Sequence, residues 1–178
     1  ELTYSFIIGE KEMPESVIES YKKISKGILK ALQLLNLKPT LNEDVEKEEK
    51  SAVCFNDSSW YEILINKKKL VGSAQKRING KLLQHGAILL DMDIETYANC
   101  FNNCSGKIIN NLKQRITSIN SELDKKVTCS ELKNAMKKGF EGELGIEFID
   151  SKLTQEEVKL SEELSSKKYS SVKWNGKF

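Results

Sequence analysis

The chain has 178 residues, 39% of them hydrophobic and 30% charged, with a net charge of +2. That length suits one ordinary domain with a real hydrophobic core and is too short for two large ones. So small a net charge is weak evidence for nucleic acid. No apolar run approaches the roughly 18–20 residues that span a bilayer, and no signal peptide is visible.

Leu2–Ile8 is rich in β-branched and aromatic residues and reads as a strand. The sequence opens inside this pattern with Glu1 rather than Met, so we expect upstream sequence to be missing. Pro14 marks the start of a helical pattern. Apolar residues from Val17 to Leu35 recur at steps of three and four, giving an amphipathic helix that ends near Leu37. The charged stretch NEDVEKEEKS connects it to a loop carrying Cys54. Trp60–Ile65, Lys69–Arg77 and Leu82–Asp91 read as an antiparallel meander. Its turns fall at Asn66-Lys67 and Asn79-Gly80, and the latter dipeptide tolerates the positive φ of a tight hairpin.

The remainder is mostly helical. Helices are expected over Ile94–Phe101 and Lys107–Ile119, and Thr128 and Thr154 each open a capping box with Glu131 and Glu157. Gly145–Asp150 reads as a short strand, and the tail with Trp174 and Phe178 is expected to pack back on the domain. Strands grouped early and helices late predict an α+β fold, with a mixed or antiparallel sheet and packed helices. We expect residues 1–178 to be part of one catalytic domain, sheet-rich over 1–93 and helical over 94–178.

The four cysteines, Cys54, Cys100, Cys104 and Cys129, follow no disulfide-framework spacing, so reduced thiols in a cytoplasmic protein are expected. One histidine and no CxxC pair argue against a zinc site. Cys54 is either a nucleophile, if a cation, base or helix N-terminus favours its thiolate, or a small buried hydrophobe between Val53 and Phe55. Cys129, in a first helical turn, is a rival. Cys100 and Cys104 share a helix face and suit packing better than redox chemistry. Lys69 opens the strand leading into Gly72-Ser73-Ala74; its ammonium either faces a bound carbonyl or belongs to a solvated Lys67–Lys69 hairpin. The three small residues leave room for a ligand or for a packed helix. His85 is a base, a ligand contact or a structural histidine.

Taken together, YEILINKKKLVGSAQKRINGKLLQHGAILLDMD resembles the central motif of the lipoate–biotin protein ligase family. The matching features are Lys69 before Gly72-Ser73-Ala74, a short hairpin, and His85-Gly86 ahead of an apolar strand. Gln75, Gln84 and Cys54 in VCFNDSSWYEI resemble the branch of cysteine-dependent octanoyltransferases of Gram-positive bacteria. That resemblance implies a catalytic domain like those of class II aminoacyl-tRNA synthetases and biotin synthetases. It implies Cys54 as nucleophile toward octanoyl-acyl carrier protein and Lys69 as the group that orients the acyl carbonyl. Gly72, Ser73, Ala74, Gln75, Arg77, Gln84, His85 and Gly86 are implied to bind substrate. The acceptor would be a lysine of a lipoyl domain, in the glycine cleavage H protein or a dehydrogenase E2 subunit. No ATP, metal or other cofactor is implied, because the thioester is already activated. Lys67-Lys68 and Lys76-Arg77 would suit acidic carrier and acceptor domains. The family's Gly-rich stretch, which precedes the first strand, is not among these residues and is expected on a missing N-terminal segment, either upstream in the same chain or present as a separate piece that partners it. The competing expectations are an ATP-dependent lipoate-protein ligase using the same Lys69, and a non-catalytic lipoyl-domain-binding relative.

Overall fold

A computed structural model describes residues 1–42, 61–100 and 106–176. It divides into two compact units, Glu1–Glu147 and Phe148–Phe178.

The first unit is built on an antiparallel sheet of β1 (Leu2–Gly9), β2 (Thr40–Leu41), β3 (Ile63–Ile65), β4 (Lys68–Ile78) and β5 (Lys81–Ile88), in the order β1-β5-β4-β3-β2. Both hairpins of the meander turn where the sequence places them. Asn66 and Lys67 have φ of 50° and 64°, and Asn79 and Gly80 have 50° and 68°. Two successive positive φ values give the backbone twist that a two-residue connection between twisted strands needs. β3 starts three residues later than the sequence pattern suggests, because Tyr61 takes a φ of 64° and breaks the extended run.

Helix α1 (Val17–Leu34) and α4 (Cys129–Leu144) cover one face of the sheet. The Phe6 ring of β1 stacks on Phe140 of α4 with centroids 5.5 Å apart, and Ile24, Ile28 and Leu32 of α1 are fully buried. α1 begins later than expected. Pro14 stands outside it, and Ser16 is the residue that caps it, its Oγ accepting from Glu19 N. α2 (Ile94–Ala98) is shorter than its pattern, so Cys100 lies beyond its end. α3 (Gly106–Arg115) leads into a stretch that runs beside β4 and β5, where Thr117 N donates to Lys69 O and Ile119 N to Leu89 O.

Both capping boxes form, on α4 and on α5 (Gln155–Leu164) of the second unit. The strand expected over Gly145–Asp150 does not form. Gly145, at φ 64°, ends α4 in the left-handed conformation, and residues 146–150 after it are in neither helix nor strand. Ile149 is 85% exposed, so the alternating GIEFI pattern has no buried face to serve. In the second unit, α5 passes into a wider turn at Ser165–Tyr169, and α6 (Val172–Asn175) sets Trp174 edge-on against Tyr169 at 5.2 Å.

Candidate functional site

Pairing register sorts the motif residues onto two faces, since partners across an antiparallel ladder share a face. One set of rows runs Tyr4–Gly86–Ser73, Phe6–Gln84–Gln75 and Ile8–Leu82–Arg77. These point toward α1 and α4. The alternate rows are Thr3–Ala87–Gly72, Ser5–His85–Ala74 and Ile7–Leu83–Lys76. On that second face Ser5, Ala74, Lys76 and His85 are exposed. The residues expected to bind substrate are therefore not all brought together. Gly72, Ala74 and His85 lie on the open face, and Ser73, Gln75, Arg77, Gln84 and Gly86 lie on the covered one.

The covered set forms one hydrogen-bonded line. Arg77 Nη2 donates to Ser20 Oγ at 3.0 Å and Ser20 Oγ to Gln75 Oε1 at 2.9 Å. Gln75 Nε2 donates to Gln84 Oε1 at 3.1 Å, and Gln84 Nε2 to the Tyr4 hydroxyl at 3.2 Å. Tyr4 OH shares a 2.7 Å bond with Ser73 Oγ. Gln84 is fully buried, so both ends of its amide need these partners. Arg77 also pairs with Glu10 at 3.2 Å and donates to the Pro14 carbonyl at 2.6 Å, which ties β4 to the segment before α1.

Tyr4 and Tyr21 were not among the sequence candidates, yet both hydroxyls converge on Ser73. Burial raises the pKa of Tyr4, against the lowering effect of its bonds to Ser73 and Gln84. Tyr21 is pushed up to about 12, first by burial, opposed by its bond to Ser73 and assisted by nearby Tyr4 and Glu62. Both phenols are thus held neutral as hydrogen-bonding groups. Gly86 is what lets the Tyr4 ring reach across. A Cβ there would stand 2.5 Å from Gly72 O and Ser73 Oγ and 2.8 Å from the Tyr4 ring.

The orientation of Lys69 departs from this alternation. In an unbroken strand it would share a face with Val71. The ladder, however, pairs Ile63 with Val71 and Leu64 with Lys69, with a bulge between them. Ile63 and Leu64 face opposite sides, so the bulge turns Lys69 to the face opposite Val71, the one carrying Gly72 and Ala74. There Lys69 Nζ meets Glu62 Oε1 at 2.5 Å, with the two residues 8% and 4% exposed. Sequence reasoning missed Glu62; a carboxylate directly before the apolar run Ile63–Ile65 was the available signal.

The open face thus offers a small-residue floor, a buried cation with its carboxylate, and His85, whose Nδ1 lies 3.1 Å from Ser5 Oγ. This suits an elongated apolar group with a polar head near Lys69. Cys54 and Cys104 lie outside the described residues. Cys129 is the exposed first residue of α4 and Cys100 is exposed, its Sγ 3.5 Å from Thr96 O. Among the described residues no helix is long and apolar enough to cross a membrane.

Comparison with known proteins defines the class. Residues 1–141 match the lipoyl protein ligase A/B catalytic domain. The chain belongs to this family. It is 40% identical over 190 residues to octanoyltransferase LipM of Bacillus subtilis, an alignment covering 99% of this chain and 68% of that protein. It shares its fold with a bi-partite lipoate protein ligase from Thermoplasma acidophilum, solved as part of a lipoylation system with its E2 lipoyl domain. That match has a TM-score of 0.78 and 22% identity, and covers 97% of this chain and 62% of the other. Biotin protein ligase from Aquifex aeolicus matches with a TM-score of 0.56 at 15% identity, covering 80% and 52%. The chain therefore spans about two thirds of the length of its relatives. The α+β fold expected from the sequence, with its likeness to biotin-attaching enzymes, is the one observed.

Proposed function

We propose that this chain carries most of the catalytic machinery of an octanoyltransferase acting in lipoate biosynthesis. The observation that carries the reading is the bulge that places Lys69 on the open, small-residue face, in a chain 36–40% identical to several LipM octanoyltransferases. The octanoyl chain lies along Gly72 and Ala74, with His85 flanking it. The covered residues Ser73, Gln75, Arg77, Gln84 and Gly86 support this floor from behind.

In the first step the Cys54 thiolate attacks the thioester carbonyl of octanoyl-acyl carrier protein, and the Lys69 ammonium stabilises the developing oxyanion. The carbon–sulfur bond to the carrier breaks, the carrier's thiolate takes up the proton that Cys54 gave up on ionising, and the octanoyl group stays on Cys54. In the second step the neutral amine of an acceptor lysine on a lipoyl domain attacks that thioester. The amide bond forms as the thioester bond breaks, and one amine proton goes to the Cys54 sulfur, which is released as its thiol. The thioester supplies the activation, so the route uses no nucleotide. Exposed Lys67 and Lys76 suit an acidic carrier, whereas Arg77 is engaged with Glu10 and Pro14 and contributes little to such a patch. Reduced Cys54 fits a cytoplasmic setting.

The test is mass spectrometry of the protein after mixing with octanoyl-carrier. An octanoyl adduct is expected on Cys54 and is absent in Cys54→Ala; a Cys54→Ala protein that turns over normally overturns the proposal. Lys69→Met should slow acylation by about 10²–10³-fold. The likeness to a lipoate protein ligase fold gives the second reading, ATP-dependent ligation. It requires that lipoate and ATP yield a lipoyl-adenylate and that activity survive the loss of Cys54.

A further inference from the structure

We propose that Glu62 is a positioning residue that acts through Lys69, fixing the ammonium at the head of the acyl floor before substrate arrives. The inference rests on the reading of Lys69 given above and adds to it a residue that the sequence reading did not single out.

A buried ion pair is a poor device for stability alone, because desolvating two charges offsets most of their attraction. The Glu62–Lys69 pair sits where the sheet is least regular. The bulge between Ile63 and Leu64 turns Lys69 across the sheet, and Tyr61 just before Glu62 has a φ of 64°. These irregularities bring the two side chains to 2.5 Å on the face with Gly72 and Ala74. The backbone at this point is held from the other side as well, since Thr117 N donates to Lys69 O at 3.0 Å. Backbone and side chain of Lys69 are therefore both fixed. A lysine has four rotatable bonds, and without a fixed partner its ammonium would sample many positions. Held by Glu62, it meets an incoming carbonyl without that search, and small displacements of such a group are costly to rate.

The experiment follows Cys54 octanoylation by mass spectrometry in the parent, Glu62→Gln, Glu62→Asp, Lys69→Met and the Glu62→Gln/Lys69→Met double variant, with thermal unfolding measured for each. Glu62→Gln is expected to slow acylation about a hundredfold while the KM for octanoyl-carrier changes less than about twofold. Glu62→Asp should recover about tenfold of that loss, since a carboxylate remains. In the Lys69→Met background Glu62→Gln should cost nothing further, because the group it positions is gone. A parent-like rate in Glu62→Gln, or penalties that multiply in the double variant, overturns the inference. If Glu62→Gln fails to fold, Glu62→Asp in both backgrounds decides by the same rule.

A second arm does not depend on catalysis. Acetylation of Lys69 by acetic anhydride, read by peptide mass against Lys68 in the same digest, should rise about tenfold in Glu62→Gln, because the side chain loses the buried carboxylate that holds it away from the reagent. Unchanged labelling overturns the inference. Lys69→Met acylating at the parent rate would instead refute the role given to Lys69 under the proposed function. The labelling arm would still show whether Glu62 holds it.

Discussion

The two faces of β4 and β5 carry residues of the same short motif and use them for opposite purposes. On the covered face Ser73, Gln75, Gln84 and Arg77 spend their polar groups on one another, on Tyr4 and on α1. On the open face Gly72, Ala74 and His85 leave the backbone approachable, with Lys69 and Glu62 at one end. Two-residue alternation lets a single stretch hold a hydrogen-bonded support and the proposed binding floor, one behind the other. Neighbours in sequence should therefore respond to mutation in different currencies, stability on one face and turnover on the other.

The sharpest way to break this contrast is Gly86→Ala. Its methyl would collide with the Gly72 carbonyl, which cannot rotate away, and with the Tyr4 ring. Overpacking of this kind should cost about 3 kcal/mol, read as a lowered midpoint in urea unfolding. A parent-like midpoint would mean that the Tyr4–Ser73 contact is not as tight as described. On the other face Ala74→Leu should leave stability within about 0.5 kcal/mol, because Ala74 is exposed. The same change should cut kcat/KM for octanoyl transfer by about ten- to a hundredfold by filling the floor, roughly 1.4–2.7 kcal/mol. Equal losses of stability in the two variants would erase the distinction between the faces. Gln84→Leu comes next. It strands Gln75 Nε2 without its acceptor and Tyr4 without its donor, and should cost about 1–2 kcal/mol in stability.

Much of this arrangement was legible in the sequence, and the failures are physical. Asn79-Gly80 fixes the β4–β5 hairpin because few other dipeptides accept two positive φ values. Thr128 and Thr154 announce their helices through local bonds alone. Lys69 was singled out by resemblance, but its face was not readable. That depends on a bulge in the pairing with β3, and a bulge is a relation between two strands. Glu62 was hidden for the same reason, since only the fold brings it to Lys69. Gly145–Asp150 misled because alternation resembles a strand even where both sets of alternate residues stay exposed. Gly72-Ser73-Ala74 reads as one group in the sequence, though Gly72 and Ala74 lie on the open face and Ser73 bonds to Tyr4 on the covered one.

The smallest effect separates the faces by pH. Tyr21, on α1, bonds to Ser73 from the covered side and is pushed from the ordinary tyrosine value of 10.0 up to about 12. The folded state thus favours the protonated phenol. A group whose folded pKa is raised contributes stability that is fully present below its unfolded pKa and is lost as pH rises through the folded one. Stability attributable to Tyr21 should therefore be constant below about pH 10 and fall away between about 10 and 12. Urea unfolding across that window should show a steeper alkaline loss in the parent than in Tyr21→Phe, which has no proton to give up. At neutral pH Tyr21→Phe should cost only about 1 kcal/mol, the net worth of one bond to Ser73. Because Tyr21 lies on the covered side, behind the proposed floor, the octanoyl-transfer rate of Tyr21→Phe should stay within about twofold of the parent, in contrast to a change at Ala74. A large fall in rate with no change in alkaline stability would move Tyr21 from the support to the site.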